Sequence, residues 1–225
     1  MDKSELTTLF RESFPFWDRI SESDRESLLR TSHHVKFEKG NTIHTGEECT
    51  GVILIKSGSL RIYLLSDEGK EITLYRLYPG DICMLSASCV LDAITFDVFV
   101  DAEELSECVL VGGCAYEEIS LRIPEVKIFA LEVALSRFSD VMWVLQQVLF
   151  MSMDKRLAIF LVDEMSKNGG NSIISLTHEQ IAKYMASARE VVSRMLKYFA
   201  TEGIVEVSRG GIRVLDKKRL VALTR

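Results

Sequence analysis

Charged side chains interrupt an otherwise apolar stretch near the C-terminus, SAREVVSRMLKYF at residues 187–199. On a helical wheel at about 100° per residue, its polar members share one arc, which holds Arg189, Glu190, Ser193, Arg194 and Lys197. Apolar side chains fill the rest, a pattern typical of an amphipathic helix. Arginine can bond guanine O6 and N7 through its planar fork, and glutamate can accept from cytosine N4. Arg189, Glu190 and Arg194 are therefore candidates for reading base edges.

Other polar residues around this helix suit contacts with a phosphate backbone, which position a protein without specifying sequence. They are Ser193, Lys197, Thr177 and Ser187, with Arg209 and Arg213 on a following segment. Two alternatives stay open at this point. Glu190 could instead complete a capping box with Ser187. Arg209 and Arg213 could be ordinary surface residues.

The elements around this helix follow a definite order. A helix is predicted over KRLAIFLVDEMSK, then a loop at NGGN, a strand at SIISL, two helices separated by a brief turn, and two strands joined at residues 209–211. Capping boxes of the S/T-x-x-E/Q type, Thr177 with Gln180 and Ser187 with Glu190, predict where the two helices begin. This order is that of a winged helix-turn-helix, whose second helix enters the major groove of DNA.

A long helix with a regular apolar seam is predicted to begin at Pro124. The seam residues recur at alternating spacings of three and four: Ile128, Leu131, Leu135, Phe138, Met142, Leu145 and Leu149. Such a repeat over about 27 residues, roughly 40 Å of helix, favours a two-stranded coiled coil. The alternative is an ordinary core helix of a monomer. We expect the seam to be the interface of a homodimer.

Charge divides the chain of 225 residues into two parts. Residues 154–225 carry 13 Lys+Arg against 8 Asp+Glu, a net charge of +5, whereas residues 1–153 carry a net charge of −11. A basic module attached to an acidic body fits a nucleic-acid-binding piece on a larger domain.

Between about Val35 and Ala115 the chain consists of short β-rich runs separated by turn residues. SDEG at residues 66–69 indicates a hairpin, and the whole pattern predicts a compact antiparallel sandwich or roll. The N-terminus lacks a basic region followed by an apolar core. No run approaches the roughly 18 apolar residues of a membrane span, so we expect a cytoplasmic protein that does not enter a membrane.

The stretch THEQIAKYMASAREVVSRMLKYFATEGIVEVSRGGIRVLD resembles the DNA-binding domain of the Crp/Fnr family of bacterial transcription regulators. R-E-x-x-x-R at residues 189–194 is similar to the base-reading positions of the catabolite-activator branch. KGNTIHTGEECTGVILIKSGSLRIYLLSDEGKEITLYRLYPGD is similar to the family's cyclic-nucleotide-binding-like β-roll, and the seam helix is similar to its dimer helix. The resemblance covers nearly the whole chain.

The resemblance implies an α+β fold with an N-terminal antiparallel β-roll, a long dimerisation helix and a C-terminal winged helix-turn-helix. We expect a sensor domain at 1–124, the dimerisation helix at 125–152 and the DNA-binding domain at 153–225. The resemblance further implies a homodimer that binds double-stranded DNA at a palindromic site with TGTGA-type half-sites. Such a dimer would regulate transcription under the control of an effector in the roll, with RNA polymerase as a further candidate partner.

Two departures from the family pattern bear on this expectation. Ala186 stands in the turn before the second helix, where the family usually has glycine, and a positive φ there would cost on the order of 1 kcal/mol. Cyclic-nucleotide-binding members carry a glutamate and an Arg-Ser pair after the PGD-like turn, but residues 81–104 contain no arginine or lysine. A bound phosphate would lack its charge partner. We therefore do not expect cyclic AMP to be the effector, which stays unidentified.

The segment that would hold the effector is residues 81–104, named here the effector segment. Its apolar residues fit either a pocket for a small apolar ligand or a filled core. Its candidate pocket residues are Cys83, Met84, Leu85, Ser86 and Cys89. The five cysteines lack CxxC spacing and are expected to be reduced thiols, with a redox role of Cys83 or Cys89 as an open alternative. Fnr-type members hold an iron–sulfur cluster through cysteines near the N-terminus. No cysteine precedes Cys49, so no such cluster is expected.

No catalytic site is predicted. A cupin-like metal centre would need a His-x-His pair and further ligands, whereas His33 and His34 are adjacent and the other histidines are distant. A haem or metal site that uses His33, His34 or His44 with a cysteine is a further alternative. The alternative to a DNA-binding regulator is a regulatory subunit that binds a partner protein through the seam helix. Salt-dependent DNA binding would separate these two functions.

Overall fold

The computed structural model describes residues 1–46, 49–91 and 96–225, which adopt the predicted α+β fold. The chain divides into two compact units. The first contains Met1–Gly69 and Leu74–Val141, and the second contains Lys70–Thr73 and Met142–Arg225. The main division falls within the long helix, between Val141 and Met142. This helix therefore contributes to both units.

Helices of the first unit pack against one of its sheets. They are α1 (Lys3–Ser13), a 3₁₀ turn at Trp17–Arg19, α2 (Glu22–Arg30) and α3 (Gly113–Arg122). A capping box of Asp2 and Glu5 begins α1, and the Ser21 side chain accepts a hydrogen bond from the Asp24 N–H at the start of α2. These caps satisfy N–H groups that the first turn of a helix leaves unpaired.

The strands between His33 and Val111 form the predicted β-roll. They are β1 (His33–Phe37), β2 (Thr42–His44), β3 (Val52–Ser57), β4 (Leu60–Leu65), β5 (Glu71–Leu77), β6 (Ile82–Cys83), β7 (Phe99–Ala102) and β8 (Ser106–Val111). Of these strands, only the first residues of β5 fall outside the first unit. One sheet has the order β1-β8-β3-β6 and the other has the order β2-β7-β4-β5. The predicted turn at residues 66–69 joins β4 and β5, and the Gly69 N–H donates to the Ser66 carbonyl.

Strand β3 connects two hydrophobic cores because successive side chains point to opposite faces of a sheet. Val52 and Leu54 belong to the core that contains the helices, whereas Ile53 and Ile55 pack with residues of β4 and β7. All four side chains are at most 2 % exposed. The continuous apolar run VILI is therefore a strand that is buried on both faces.

The predicted long helix is α4 (Pro124–Phe150). Val126 and Ala130 on one side are fully buried in the core of the first unit. The seam residues on another side are exposed in the single chain, from 36 % for Met142 to 66 % for Leu135. In the described ranges no helix combines the length and the apolar character that a bilayer crossing requires.

The second unit contains a small sheet and helices in the order predicted for a winged helix-turn-helix. Its elements are α5 (Met153–Lys167), β9 (Ile173–Ile174), α6 (His178–Tyr184), α7 (Arg189–Thr201), β10 (Val205–Ser208), β11 (Gly211–Val214) and α8 (Lys217–Ala222). The strand order is β10-β11-β9. The apolar side of α7 contributes Val192, Leu196 and Phe199 to the core, each fully buried.

Two cysteines far apart in sequence form a disulfide. Cys49 and Cys89 are bonded, with their Cα atoms 6.1 Å apart, an ordinary separation for such a bond. The expectation of reduced thiols is therefore wrong for this pair. The spacing of 40 residues could not show it, because the intervening strands return the chain to the same place. Cys83 and Cys108 are free and buried, and Cys114 is free and exposed.

The turn between α6 and α7 contains a left-handed residue. Ala186 has a φ of +47°, a value that no other non-glycine residue in the described ranges approaches. The turn closes with hydrogen bonds from the Ala186 N–H to the Lys183 carbonyl and from the Ser187 N–H to the Ala182 carbonyl. The sequence left open whether this position needs a positive φ, and the structure shows that it has one. A Cβ atom in this conformation clashes with the neighbouring carbonyl, so the turn carries the corresponding cost.

Replacing Ala186 by glycine should raise the free energy of unfolding by about 1 kcal/mol, since glycine adopts positive φ without the Cβ clash. Denaturant unfolding followed by circular dichroism measures the change. The same substitution in a helix interior, Ala200→Gly in α7, is the control and should lower stability by about 1 kcal/mol. Equal destabilisation by both variants would contradict the assignment of strain to the turn.

Candidate nucleic-acid interface

Helix α6 and the turn that follows it hold α7 in place. The Thr177 side chain accepts from the Gln180 N–H, and the Gln180 side chain accepts from the Thr177 N–H, which confirms the predicted capping box. Ile181 of α6 and Val192 of α7 are fully buried in the same core. The apolar side of α7 is therefore fixed by packing, and its polar side is left outside the core.

The polar side of α7 presents charged groups without internal partners. Arg189, Glu190, Arg194 and Lys197 are exposed, and their side chains form no ion pair or hydrogen bond with any described residue. Glu190 and Arg194 are one turn apart, a spacing at which opposite charges commonly pair on a helix surface. Their lack of pairing within the described structure leaves both head groups available to an external partner.

The start of α7 corrects one prediction made from the sequence. The N-cap residue is Ala188, which has no side-chain acceptor, so Ser187 and Glu190 form no capping box. The turn continues one residue further than the motif implied, because the Ser187 N–H still donates to the Ala182 carbonyl. The Ser187 Oγ instead lies 3.8 Å from Met153 Sδ. Capping therefore no longer accounts for Glu190.

Ser193, one of the predicted phosphate-contact residues, has a partner that the sequence did not reveal. Its Oγ lies 2.8 Å from Nδ1 of His178, the first residue of α6. The contact ties the middle of α7 to the beginning of α6 across 15 positions of sequence. In the sequence, the signal for this contact was a histidine directly after the Thr177 cap. Only the packing of the two helices shows that this histidine reaches Ser193.

The wing, which is the hairpin of β10 and β11, lies beside the beginning of α6. A groove of about 270 Å³ is lined by residues of both, including Thr177, His178, Ser208 and Arg209. Arg209 is exposed at the tip between β10 and β11. Arg213 is opposite Glu206 in these strands, and their charged atoms are 3.7 Å apart with both side chains more than half exposed. The structure therefore brings Thr177 and Arg209 together, whereas Arg213 has a cross-strand partner.

The candidate effector residues are part of the core of the first unit. Cys83, Met84 and Ser86 are at most 1 % exposed, and Leu85 and Cys89 are half-buried. The Ser86 hydroxyl donates to the Gly51 carbonyl at 2.8 Å. A ligand in contact with these side chains would have to displace them, and their assignment to a pocket stays a prediction. Within the presumed effector segment, residues 92–95 lie outside the described residues.

Arginines from other elements approach the effector segment, which the sequence of the segment could not indicate. Each pairs with one of its carboxylates: Arg61 with Asp101 at 3.0 Å, Arg137 with Asp81 at 2.9 Å and Arg76 with Glu103 at 3.9 Å. Arg61 and Asp101 are direct neighbours across β4 and β7. These positive charges are already compensated, so the described residues do not fit the phosphate of a cyclic nucleotide.

Metal-binding groups are scattered. Among the described residues, no three His, Cys, Asp or Glu side chains are arranged to hold a metal ion. His34 Nε2 lies 3.3 Å from Glu107, and His44 Nδ1 lies 2.8 Å from the Thr50 hydroxyl. Burial lowers the pKa of His44. These two histidines thus have partners within the protein.

Comparisons with known proteins identify both units. The model of the cyclic nucleotide-binding domain matches residues 34–112, and that of the Crp-like helix-turn-helix domain matches residues 155–223. The chain is 43 % identical to a protein from Eubacterium rectale whose crystal structure is assigned to the Crp/Fnr family of transcriptional regulators. The match covers 95 % of this chain and 99 % of that one, with a TM-score of 0.90. The chain belongs to the Crp/Fnr family.

More distant relatives carry names from different branches of the family. The chain is 25 % identical to the cyclic AMP receptor protein of Thermus thermophilus, over 90 % of this chain and 93 % of the relative. It is 24 % identical to the transcriptional activator protein FnrA of Stutzerimonas stutzeri, over 83 % of this chain and 78 % of the relative. This Crp/Fnr protein is a transcription regulator whose α6 and α7 form its helix-turn-helix. Regulators of this family bind DNA and act as dimers.

Replacing Ala188 by serine should stabilise this Crp/Fnr regulator by about 1 kcal/mol, because a serine at the N-cap can accept from the N–H of the second or third residue of α7. Thermal and urea unfolding measure the gain. Ser187→Ala is the matched control and should change stability by less than about 0.5 kcal/mol, since Ser187 lies outside the cap. A larger loss in Ser187→Ala than the gain in Ala188→Ser would place the cap at Ser187 instead.

Proposed function

We propose that this Crp/Fnr regulator acts as a homodimer that reads a two-fold symmetric DNA site through one α7 helix from each subunit. The observation that carries the proposal is the exposed arc of Arg189, Glu190 and Arg194, whose charges have no partner in the described part of the chain. A charged arc held by a buried apolar side is what a recognition helix requires, because bases are read by rigidly placed donors and acceptors.

The three residues of the arc have distinct roles in this proposal. Arg189 and Arg194 donate to guanine O6 and N7, and Glu190 accepts from cytosine N4. Glu190 is free for this role because Ala188 and not Ser187 occupies the N-cap. The resemblance to the catabolite-activator branch makes TGTGA-type half-sites the first sequences to test.

Phosphate contacts would set the position of α7 in the groove. Lys197, Thr177 and Ser187 supply them from the helix-turn-helix, and Arg209 supplies one from the wing tip. Ser193 can donate to a phosphate while its oxygen accepts from His178, provided that the histidine ring carries its proton on Nδ1. Arg213 would have to leave Glu206, so we expect its contribution to be the smallest.

The exposed seam of α4 supports the proposed dimer. Its seven members are Ile128, Leu131, Leu135, Phe138, Met142, Leu145 and Leu149, and all are at least 36 % exposed in the single chain. A regular apolar stripe of this length buries its side chains when two helices pair. The opposite side of the helix is occupied by its own subunit through Val126 and Ala130, so the seam is the side available for a partner.

The signal that controls binding is proposed to be other than cyclic AMP, since the arginines near the effector segment are engaged with carboxylates. The site of action is proposed to be the cytoplasm, with RNA polymerase as a candidate partner. A regulatory subunit that binds an unrelated protein through α4 is not favoured, because the relatives are transcription regulators.

Arg189→Ala should weaken specific binding to a palindrome of TGTGA-type half-sites by about 1–3 kcal/mol per half-site and leave non-specific binding nearly unchanged, because only base contacts discriminate sequences. Fluorescence anisotropy over a salt series measures both affinities.

Lys197→Ala should weaken binding to DNA of every sequence alike. It should also reduce the slope of log K against log salt by about one for each phosphate that is no longer neutralised. Lys218→Ala on α8 removes the same charge elsewhere and is the control.

Selection of binding sites from a pool of random duplexes accompanies this measurement. The conclusion then does not depend on the TGTGA-type half-site being the right sequence. Failure of the wild type to bind any selected duplex, under both oxidising and reducing conditions, would contradict the proposed function. Equal loss of specific affinity in Arg189→Ala and Lys218→Ala would show that α7 does not read the base sequence.

Leu135→Glu should convert the dimer to a monomer of 25.5 kDa, because a buried charge in the seam lacks a partner. Sedimentation velocity gives the mass directly. Ser136→Glu introduces the same charge at the adjacent exposed position and should leave the dimer intact. If both variants stay dimeric, or if the wild type is a monomer at micromolar concentration, the seam is not the interface.

A further inference from the structure

The disulfide between Cys49 and Cys89 joins two loops of the first unit. Cys49 follows β2, and Cys89 belongs to the effector segment after β6. Hydrogen bonds fix the two loops beside the sulfur atoms, since the Thr50 N–H donates to the Ser86 carbonyl at 3.1 Å and the Ser86 hydroxyl donates to the Gly51 carbonyl at 2.8 Å. These contacts do not depend on the covalent bond. They would hold the two thiols close together after reduction.

The five cysteines differ in their access to solvent and to one another. Cys49 is exposed and Cys89 is half-buried, so a reagent can reach the pair from outside. Cys83 and Cys108 are buried, and burial raises the pKa of both thiols, that of Cys108 to about 12. Cys114 is exposed but has no bonded partner. Only Cys49 and Cys89 combine access with a neighbouring thiol.

The sulfur atoms rest against the first residue of α3. A Cβ atom built on Gly113 would lie 2.6 Å from the sulfur of Cys49 and equally close to that of Cys89, so only glycine fits there. A change in the separation of the two sulfurs therefore acts directly on the backbone where α3 begins. A small displacement at such a contact is transmitted to the neighbouring atoms, because a closely packed protein interior has low compressibility.

Helix α3 is firmly connected to α4. The two helices are separated by Ile123 alone, and the Val126 N–H donates to the Ile123 carbonyl. The buried Tyr116 of α3 donates its hydroxyl to the Val126 carbonyl at 3.3 Å. A path of direct contacts thus runs from the cysteine pair through Gly113 and Tyr116 to the helix that carries the seam.

We propose that Cys49 and Cys89 are a reversible redox site, a dithiol that peroxides oxidise to a disulfide, and that its state sets DNA affinity through α3 and α4. The exposed Cys49 thiolate attacks one oxygen of hydrogen peroxide, forms a sulfenic acid and releases hydroxide, which takes up a proton to become water. The Cys89 thiolate then attacks the Cys49 sulfur, forms the S–S bond and expels the second oxygen as water. In total two thiols lose two electrons and two protons, and one peroxide becomes two waters. Thiol–disulfide exchange with a dithiol reductant reverses the reaction.

The regulatory half of this proposal rests on the proposed function, whereas the redox chemistry of the pair does not. The first experiment therefore follows the thiols alone. Full-length protein is reduced with dithiothreitol, freed of reductant, exposed to stoichiometric hydrogen peroxide, and labelled with N-ethylmaleimide in denaturant. Intact mass should show five adducts before peroxide and three after it, with Cys49 and Cys89 in one crosslinked peptide. Five adducts after oxidation, or a crosslink that involves another cysteine, would overturn the redox site.

The second experiment measures DNA binding in both states. One state should bind a duplex obtained by random-site selection at least about tenfold more tightly than the other. Cys49→Ser and Cys89→Ser should each abolish this difference, and Cys114→Ser, which removes an exposed thiol without a partner, should preserve it. Equal affinities in the two states of the wild type would overturn the regulatory role, and this comparison needs no variant to fold. If neither state binds any duplex, the proposed DNA-binding function fails, while the adduct count still decides the redox site.

Discussion

The rest of the structure depends on α4, a helix that has apolar side chains on two sides. Val126 and Ala130 are buried against the helices and sheet of its own subunit. Arg137, further along, contacts Asp81 of the roll and Asp140 of the helix itself, and it lies over the ring of Tyr75. The remaining apolar stripe is exposed in one chain, and exposed apolar surface of this extent is costly in water. In the proposed dimer, a second copy of the helix would remove that cost.

Recognition of DNA places a different demand on the second unit, which must hold α7 rigidly with few residues. The core supplied by Val192, Leu196 and Phe199 fixes the helix. The local sequence at its beginning is less favourable, since Ala186 adopts a left-handed conformation and Ala188 leaves the N-cap without a side-chain acceptor. Each departure costs about 1 kcal/mol, which burial of the apolar side of α7 offsets. The helix is therefore positioned by tertiary packing more than by its own capping.

The roll has the family fold, and its described arginines near residues 81–104 have carboxylate partners within the protein. These arginines belong to β4, β5 and α4, and Cys83, Met84 and Ser86 of the same segment are buried. The charge that would receive a phosphate is thereby used within the protein. A covalent bond between Cys49 and Cys89 lies at the edge of the same segment. A signal that acts on this bond would reach α3 without a bound nucleotide.

The sequence by itself determined the elements and their order, because periodicity and turn residues act locally. The alternate spacing of three and four predicted α4, the Thr177 capping box predicted the start of α6, and the Arg-Glu-Arg arc predicted which side of α7 is polar. A local comparison with glycine raised the question of a positive φ at Ala186, and the structure answered it. The local pattern failed at the start of α7. The S-x-x-E motif predicted Ser187 as the N-cap, but the turn extends one residue further and the N-cap is Ala188.

Tertiary structure alone decided the contacts between residues distant in the chain. The bond between Cys49 and Cys89, the contact of His178 with Ser193, and the pairing of Arg61 with Asp101 join positions separated by 40, 15 and 40 residues. Such pairs depend on how strands and helices pack, and no property of either residue alone indicates its partner. Burial has the same origin, since the side chain of Met84 could line a pocket or fill a core, and only the surrounding sheets and helices determine which.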